Sequence, residues 1–302
     1  MPTSEILMIE PVNFGYNTET AVNNSFQKKT SESNIQEKAL TEFRNFVSIL
    51  LQNKVHVHVV KDSAVPVTPD ALFPNNWISF HDDGSIFLYP MFAQNRREER
   101  KQTVIEYIKN SFQVTAIHNL SSFEEEQIYL EGTGSMVLDR KNKIAYAALS
   151  PRTNVNVLNE FCSTTKFKPV AFTSRWTDGS PIYHTNVMMC IAENFVVICL
   201  ESINDQDEKN ILLENFKNTG KDVIEITYEQ LGSFAGNMLQ IKNVDGEMLL
   251  VMSTQAYNSL NNDQINRLTK LNRIIHSPLD TIETSGGGSA RCMLAEIYNK
   301  PA

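Results

Sequence analysis

The stretch Asn76–Pro90, NWISFHDDGSIFLYP, decides how the rest of the chain is read. A polar residue stands at its mouth and two alternating apolar runs follow, hinged at Asp83-Gly84. Asp-Gly between such runs is a hairpin signal because its glycine accepts the positive φ of a tight turn. The same text returns down the chain. Glu131 precedes Gly134–Leu149 (GSMVLDRKNKIAYAAL), hinged over Asp139–Asn142, and His184 precedes Asn186–Leu200 (NVMMCIAENFVVICL), hinged at Glu193-Asn194. Asn237 precedes Met238–Ser253 (MLQIKNVDGEMLLVMS), hinged at Asp245-Gly246, and Cys292 opens a last run, CMLAEIY. These five marks stand 55, 53, 53 and 55 residues apart. A fixed period implies copies of one supersecondary unit, here five around an axis, with the same position of each copy aimed at one central place.

Helix-like text follows each complete hairpin, over Asn95–Phe112, Pro151–Thr165, Asp205–Thr219 and Ala256–Asn272. Short β runs come next, at Gln113–Ile117, Pro169–Thr173, Asp222–Thr227 and Arg273–His276. The unit is therefore ββαβ. The fifth copy is split: its first strand begins at Cys292, and the remainder lies at the other end as Ile6–Ile9, a helix over Ser33–Leu51 and Val55–Val60. That helix carries the pattern of a capping box, Asn34 with Glu37. Pairing the C-terminal strand with the N-terminal one closes the ring without an open edge between its ends. No Pro/Gly/Ser-rich linker interrupts the text, so the expectation is a single α/β domain over residues 1–302. An α+β sandwich with accidental spacing is the alternative.

A chain that is 41% apolar and 21% charged has the composition of a soluble globular protein. A net charge of −8 argues against nucleic acid or an anionic membrane as partner. The basic pairs Arg96-Arg97 and Lys28-Lys29 are interleaved with acids and read as solvated helix faces. The opening MPTSEILMIEPVNF lacks a basic n-region and a long apolar h-region. The greasiest stretch, Val187–Leu200, is broken by Glu193-Asn194 and is too short to span a bilayer, so the expected location is cytoplasmic. Cys162, Cys190 and Cys199 sit in apolar text and read as core thiols. Cys292 differs: it follows Gly286-Gly287-Gly288-Ser289-Ala290-Arg291, and glycines let backbone and side chain approach a ligand closely. The histidines other than His184 are scattered without ligand spacing, so no metal site is expected.

Three of the five marks are Glu131, His184 and Cys292, the parts of a thiol nucleophile with a proton handler and an orienting carboxylate. A reactive thiolate wants a positive neighbour, for which a protonated His184 or Arg291 is placed by the sequence, and Glu131 beside His184 would favour the imidazolium. Taken singly, each residue has a plainer reading: a hydrogen-bonded histidine opening a strand, a surface carboxylate, a solvated Arg152 at a helix start. Their joint period favours the site.

With these residues in place the chain resembles the guanidine-modifying amidinotransferase superfamily, whose fold is the five-bladed α/β propeller called the pentein. The likeness runs over nearly the whole chain: EPVNFGYNTETAVNN from Glu10, FPNNW at Phe73–Trp77, EGTG at Glu131, SPRTN at Ser150–Asn154, HTN at His184–Asn186 and GGGSARC ending at Cys292. It is greatest to the citrulline-utilising hydrolases, with succinylarginine dihydrolase more distant. The resemblance implies Cys292 as nucleophile on the central carbon of a guanidinium or ureido group, His184 as general acid/base and Glu131 as the carboxylate that orients it. It implies Arg152 as the holder of a substrate carboxylate, a small amino-acid substrate, and no cofactor. Asn17 and Asn75 are placed near the substrate.

Arginine-handling members carry aspartates where this chain has Asn76 and Asn186, and the EGTG motif ends in Thr133 and Gly134. A buried guanidinium without carboxylates bears a desolvation penalty of several kcal/mol. A neutral ureido group instead wants a donor for its oxygen and acceptors for its N–H groups, and asparagine offers both. The expected reaction is hydrolysis of a C–N bond in a citrulline-type substrate, giving ornithine through a covalent Cys292 intermediate. Amidinotransfer, and deimination or dihydrolysis of arginine or succinylarginine, remain alternatives, since residue identity does not settle whether water or an amine resolves the intermediate. A non-enzymatic binding protein on this fold, as in a ribosome-binding translation factor, predicts no such thiol–imidazole–carboxylate set.

Overall fold

The computed structural model describes residues 2–31 and 33–302. Among these residues fifteen strands form five separate three-stranded sheets. They are β1 (Glu5–Glu10), β2 (His56–Lys61), β3 (Ile78–Phe80), β4 (Ser85–Leu88), β5 (Ala116–Asn119), β6 (Val137–Asp139), β7 (Ile144–Leu149), β8 (Lys168–Thr173), β9 (Met189–Ile191), β10 (Phe195–Ile198), β11 (Asp222–Glu225), β12 (Leu239–Lys242), β13 (Met248–Ser253), β14 (Arg273–Ser277) and β15 (Ala295–Ile297). Each sheet repeats one plan. A hairpin pairs its first two strands antiparallel, and a helical crossover returns the third parallel to the second, as β3-β4-β5, β6-β7-β8, β9-β10-β11 and β12-β13-β14. The fifth sheet is built from both chain ends: β15 pairs antiparallel with β1, which pairs parallel with β2. The expected terminal pairing is thus present. Among the described residues no strand bonds one sheet to the next, so there is no closed sheet.

Burial follows strand position. The middle strands are apolar and almost wholly buried, as in β10 (FVVI) and β13 (MLLVMS), whereas the third strands are largely exposed edges, as in β2 and β5. Neighbouring sheets meet through their first strands, β15 against β3 and β9 against both β6 and β12. The first strands therefore lie inside and the third strands outside.

Four details depart from the sequence reading. The predicted helix over Asn95–Phe112 is two, Gln94–Arg97 and Gln102–Ser111, because Arg96 pairs with Glu99 and reaches Asn76 while Lys101 turns away to Thr68. The one over Ala256–Asn272 is also two, because Asn261 caps a new helix, Asn262–Thr269, through a box with Gln264. The helix at Pro151 starts four residues later, at Val155, where the Asn154 side chain accepts from the Asn156 N–H. Asn34 precedes helix Ile35–Gln52 but makes no side-chain cap, so the box with Glu37 is not formed.

Candidate active site

None of the five marks opens a strand. Each lies at a short turn just before one: Asn76 ends a 3-10 turn (Pro74–Asn76), Glu131 and His184 are the N-cap residues of one-turn helices Gly132–Ser135 and Thr185–Met188, Asn237 closes a turn by donating its N–H to the Phe234 carbonyl (2.8 Å), and Cys292 lies within a 3-10 turn, Ala290–Met293. These turns are stitched to one another. Thr133 Oγ donates to the Asn75 carbonyl (3.3 Å), Thr185 Oγ to the Ser135 carbonyl (2.6 Å), and Asn237 Nδ2 to the Asn186 carbonyl (2.9 Å). The Arg291 N–H donates to Asn237 Oδ1 (3.0 Å), and the turns of Asn76 and Cys292 are in contact. Every turn that carries a mark is thereby fixed against the next.

Cys292, His184, Asn76 and Arg152 line one small cavity with Asp70, Arg96 and the glycines 286–288. Glu131 is fully buried behind His184 and bonds its Nε2 at 2.8 Å. An ionised carboxylate only accepts, so Nε2 carries the hydrogen and Nδ1 keeps a lone pair. The other Glu131 oxygen accepts from the Phe92 N–H (2.9 Å). Its carboxyl is held well below the usual range: burial opposes ionisation, but Arg152 (3.5 Å), His184 and Arg96 (3.8 Å) outweigh it. His184 goes the opposite way to the expected imidazolium. Burial pushes it down to about 4 and the two arginines add to this, against the opposing pull of Glu131, so the ring is neutral at pH 7. The Cys292 sulfur meets two amide donors, Asn237 Nδ2 at 3.3 Å and Asn186 Nδ2 at 3.5 Å. Arg291 does not serve as the cation beside the thiol, because its guanidinium is committed to the Leu294 carbonyl and Glu296.

Gly134 packs between the marks. A Cβ there would lie 2.4 Å from Asn76 Nδ2 and 2.8 Å from His184 Nδ1 and Cε1. Gly287, at φ +64°, closes the helix Asp280–Gly286, and its carbonyl accepts from Tyr183 Oη (2.6 Å) and Asn24 Nδ2 (3.1 Å). Residues 20–27 are pinned over the cavity in this way. Arg152 is 1% exposed, with Nη2 on the Thr20 carbonyl (2.8 Å) and Nε on Asn23 Oδ1 (2.8 Å).

The structure brings Asn76 into the cavity, with Oδ1 accepting from Arg96 Nη1 (2.9 Å) and Nδ2 buried without a partner among the described residues. Asn186 lies under the sulfur rather than among the residues lining this cavity, and its Oδ1 is also unpartnered. Asn75 bonds Thr133, and Asn17 bonds Asp70 (2.8 Å) and Asn95, so both sit one layer back. Two central residues escaped the sequence reading. Arg96, read as a solvated helix face, is 2% exposed and grips Glu99 bidentately at 2.8 and 3.0 Å. Asp70 is equally buried, lines the cavity and leaves Oδ1 unpartnered. Burial raises the Asp70 carboxyl and pushes Glu99 up to about 7. The only signals for these two were an Arg-Glu pair three apart and an isolated Pro-Asp, which any surface helix or turn also shows.

The fold, with a thiol, an imidazole–carboxylate pair and two buried guanidiniums around one cavity, is that of the guanidine-modifying pentein superfamily, in which the neighbours described below are hydrolases acting on guanidino C–N bonds. More narrowly, residues 10–299 match the family described as N,N dimethylarginine dimethylhydrolase, eukaryotic, and the chain belongs to that family. A search of curated proteins returned no match. Among solved structures, the chain is similar to ArgZ, an arginine dihydrolase from the ornithine-ammonia cycle in cyanobacteria, at 16% identity and a TM-score of 0.77. The match covers 98% of this chain and 41% of full-length ArgZ, so the chain spans about two fifths of that protein. It covers 98% of both chains for the separate N-terminal domain of ArgZ, solved as a cysteine-to-serine mutant bound to substrate (16% identity, TM-score 0.76). A dimethylarginine dimethylaminohydrolase adduct with S-methyl-L-thiocitrulline is matched at 14% identity and a TM-score of 0.68, over 98% of this chain and 100% of that one. Among the described residues no helix is long and apolar enough to cross a membrane.

Proposed function

We propose that the chain, as one domain over residues 1–302 with its five sheets set as propeller blades, hydrolyses a C–N bond at the ureido or guanidino carbon of a small amino acid in the cytoplasm. The observation that carries this reading is the cavity shared by the Cys292 thiol and a His184 held by Glu131 at 2.8 Å. His184 Nδ1 takes the thiol proton as sulfur attacks the central carbon, forming the C–S bond. The imidazolium, offset by Glu131, then protonates the departing nitrogen as its C–N bond breaks. Water, losing a proton to His184 Nδ1, attacks the thiol-bound carbon, the C–S bond breaks, and the imidazolium returns a proton to the Cys292 sulfur. The two amide donors at 3.3 and 3.5 Å suit a sulfur that carries charge in these steps.

The cavity fits an amino-acid head. Arg152 and Arg96 can meet a carboxylate, Arg152 by exchanging its bonds to Thr20 and Asn23, and the free Asp70 Oδ1 can accept from an α-ammonium. At the tail, the unpartnered Asn76 Nδ2 is a donor suited to a ureido oxygen, which favours a citrulline-type substrate yielding ornithine. A second reading, a guanidino substrate taken through a ureido stage, draws support from ArgZ, whose asparagine-to-serine variant was captured covalently bound to a reaction intermediate. The deciding experiment quenches enzyme with citrulline, arginine, agmatine, N,N-dimethylarginine or succinylarginine and weighs the protein. A carbamoyl-sized adduct on Cys292 from citrulline, with ornithine and ammonia released, supports the first reading. An adduct from arginine alone replaces it with the second, and no adduct from any compound removes both.

A further inference from the structure

A second cavity lies behind the thiol. It is lined by Thr133 and Asn186 on the side of the marked turns and by Arg140, Arg291, Glu296 and Tyr298 on the other, and it shares no lining residue with the cavity of Cys292 and His184. Asn186 joins the two, because its Nδ2 donates to Cys292 Sγ at 3.5 Å while the residue lines the rear cavity.

The wall of this cavity holds one guanidinium whose hydrogen-bonding capacity is unspent. Arg291 donates to the Leu294 carbonyl at 2.7 Å and to Glu296 Oε2 at 2.8 Å. Glu296 Oε1 accepts from Tyr298 Oη at 2.9 Å, so both oxygens of this carboxylate are in use. Arg140 has its carbon 4.0 Å from the centre of the Tyr298 ring and its Nε 3.9 Å from Glu296 Oε1, which is ion-pair distance and too long for a hydrogen bond. Among the described residues nothing accepts a hydrogen bond from Arg140, although its side chain is 14% exposed. Asp82, which also acts on Arg140, is exposed and pairs with Lys143 at 3.6 Å, and Asp139 is matched by Lys221 at 3.0 Å, leaving Glu193 and Lys141 as the remaining charged pair of the lining. Stacking on Tyr298 fixes the plane of the guanidinium and leaves its donor edges free, and a fixed planar fork is the geometry that takes a carboxylate bidentately.

We propose that Arg140 makes this rear cavity a binding site for a small carboxylate-type oxyanion, and that occupancy is sensed at Cys292 through Asn186. Free bicarbonate and the carboxylate of a small organic acid share this chemistry. Asn186 Oδ1, buried and unpartnered, distinguishes the two, because bicarbonate brings an O–H donor that formate and acetate lack.

The test uses the full chain in chloride buffer of constant ionic strength, with sodium formate, acetate or bicarbonate replacing chloride. Thermal unfolding of the wild type should shift upward saturably with these anions and not with chloride. Arg140→Gln should need at least tenfold more anion for half the shift, and Arg140→Lys, which keeps the charge without the fork, should fall between them. Tighter binding of bicarbonate than of formate assigns the Asn186 acceptor to the ligand, and the reverse order removes that contact. In the activity arm the anion should change kcat at unchanged KM. No saturable shift in the wild type, or equal shifts in both variants, overturns the site; a purely competitive effect moves the anion to the Arg152 cavity and equally overturns it. The unfolding arm needs no turnover, so its outcome is independent of the hydrolase reading.

Discussion

Around the cavity three buried carboxyls, Asp70, Glu99 and Glu131, face two buried guanidiniums, Arg96 and Arg152. Two arginines cannot neutralise three carboxylates, which leaves burial to raise two of them: Asp70 is raised, and Glu99 is pushed up to about 7, where it titrates at neutral pH. This makes Glu99→Gln a sharp perturbation. Below pH 5 the wild-type side chain is a neutral acid that glutamine mimics, so the variant should match it within about 1 kcal/mol. The folded-state value is raised above the unfolded 4.5, so folding binds a proton between the two values. The stability this confers is full below about 4.5 and is lost as pH rises through 7. At about 1.4 kcal/mol per pH unit the loss is about 3 kcal/mol, and the bonds to Arg96 are already contained in it, because they oppose the burial that raises the carboxyl. Urea unfolding at pH 5 and pH 8 should therefore show Glu99→Gln near wild type at the lower pH and more stable than it by about 2 kcal/mol at the higher. Were Glu99 and Arg96 an ordinary buried ion pair, the variant would lose about 3–5 kcal/mol at pH 8. That result, with an unchanged pH slope, refutes the charge count.

Further outcomes follow from the same geometry. His184, pushed down to about 4, is neutral above pH 5, so log kcat/KM should show no acid limb near 6.5 and should fall only as pH approaches 4; a limb at 6–7 moved by Glu131→Gln would mean that Glu131, not burial, governs the ring. Gly134→Ala places a methyl 2.4 Å from Asn76 Nδ2 and 2.8 Å from His184, and should cost at least about tenfold in kcat by displacing reacting groups. Unfolding and circular dichroism should show the fold retained, and unchanged kcat sinks this placement of Asn76 beside the imidazole. Asn76→Asp adds a fourth carboxylate to a group with two guanidiniums and removes the free donor, so citrulline turnover should fall at pH 8; kinetics unchanged from wild type in both Asn76→Asp and Asn186→Asp would mean that neither amide touches the reacting group. Cys292→Ala should remove both turnover and any adduct seen by mass spectrometry.

What the sequence made legible was the repeat. Hairpins, crossovers and split fifth copy are encoded by alternation, by Asp-Gly hinges and by the even spacing of Asn76, Glu131, His184, Asn237 and Cys292, all local or periodic signals. The fourth mark shows the strength of that spacing. Asn237 carries no catalytic chemistry of its own, yet the period placed it, and its amide lies 3.3 Å from the sulfur. The turns bearing the marks were misread as strand mouths because four residues are too few to show a helical period. Arg96 and Asp70 were missed for another reason: their meaning lies in partners such as Asn76, Glu99 and Asn17 converging from separate stretches, and an Arg-Arg pair among acids looks the same whether solvated or buried.

The protonation of His184 shows where local reasoning changes sign. Proximity to Glu131 argues for an imidazolium, and the 2.8 Å bond confirms the proximity. Yet the ring is fully buried and shares Glu131 with two guanidiniums, so the carboxylate's charge is already spoken for. The same logic bears on the substrate tail. Asn76 was read as a missing guanidinium partner, but its Oδ1 already accepts from Arg96 at 2.9 Å, and an aspartate there would face a resident arginine as well as an incoming one. The asparagine therefore keeps the count of carboxylates to guanidiniums at three to two while leaving one N–H free to meet an oxygen, which is the support for the ureido tail proposed above.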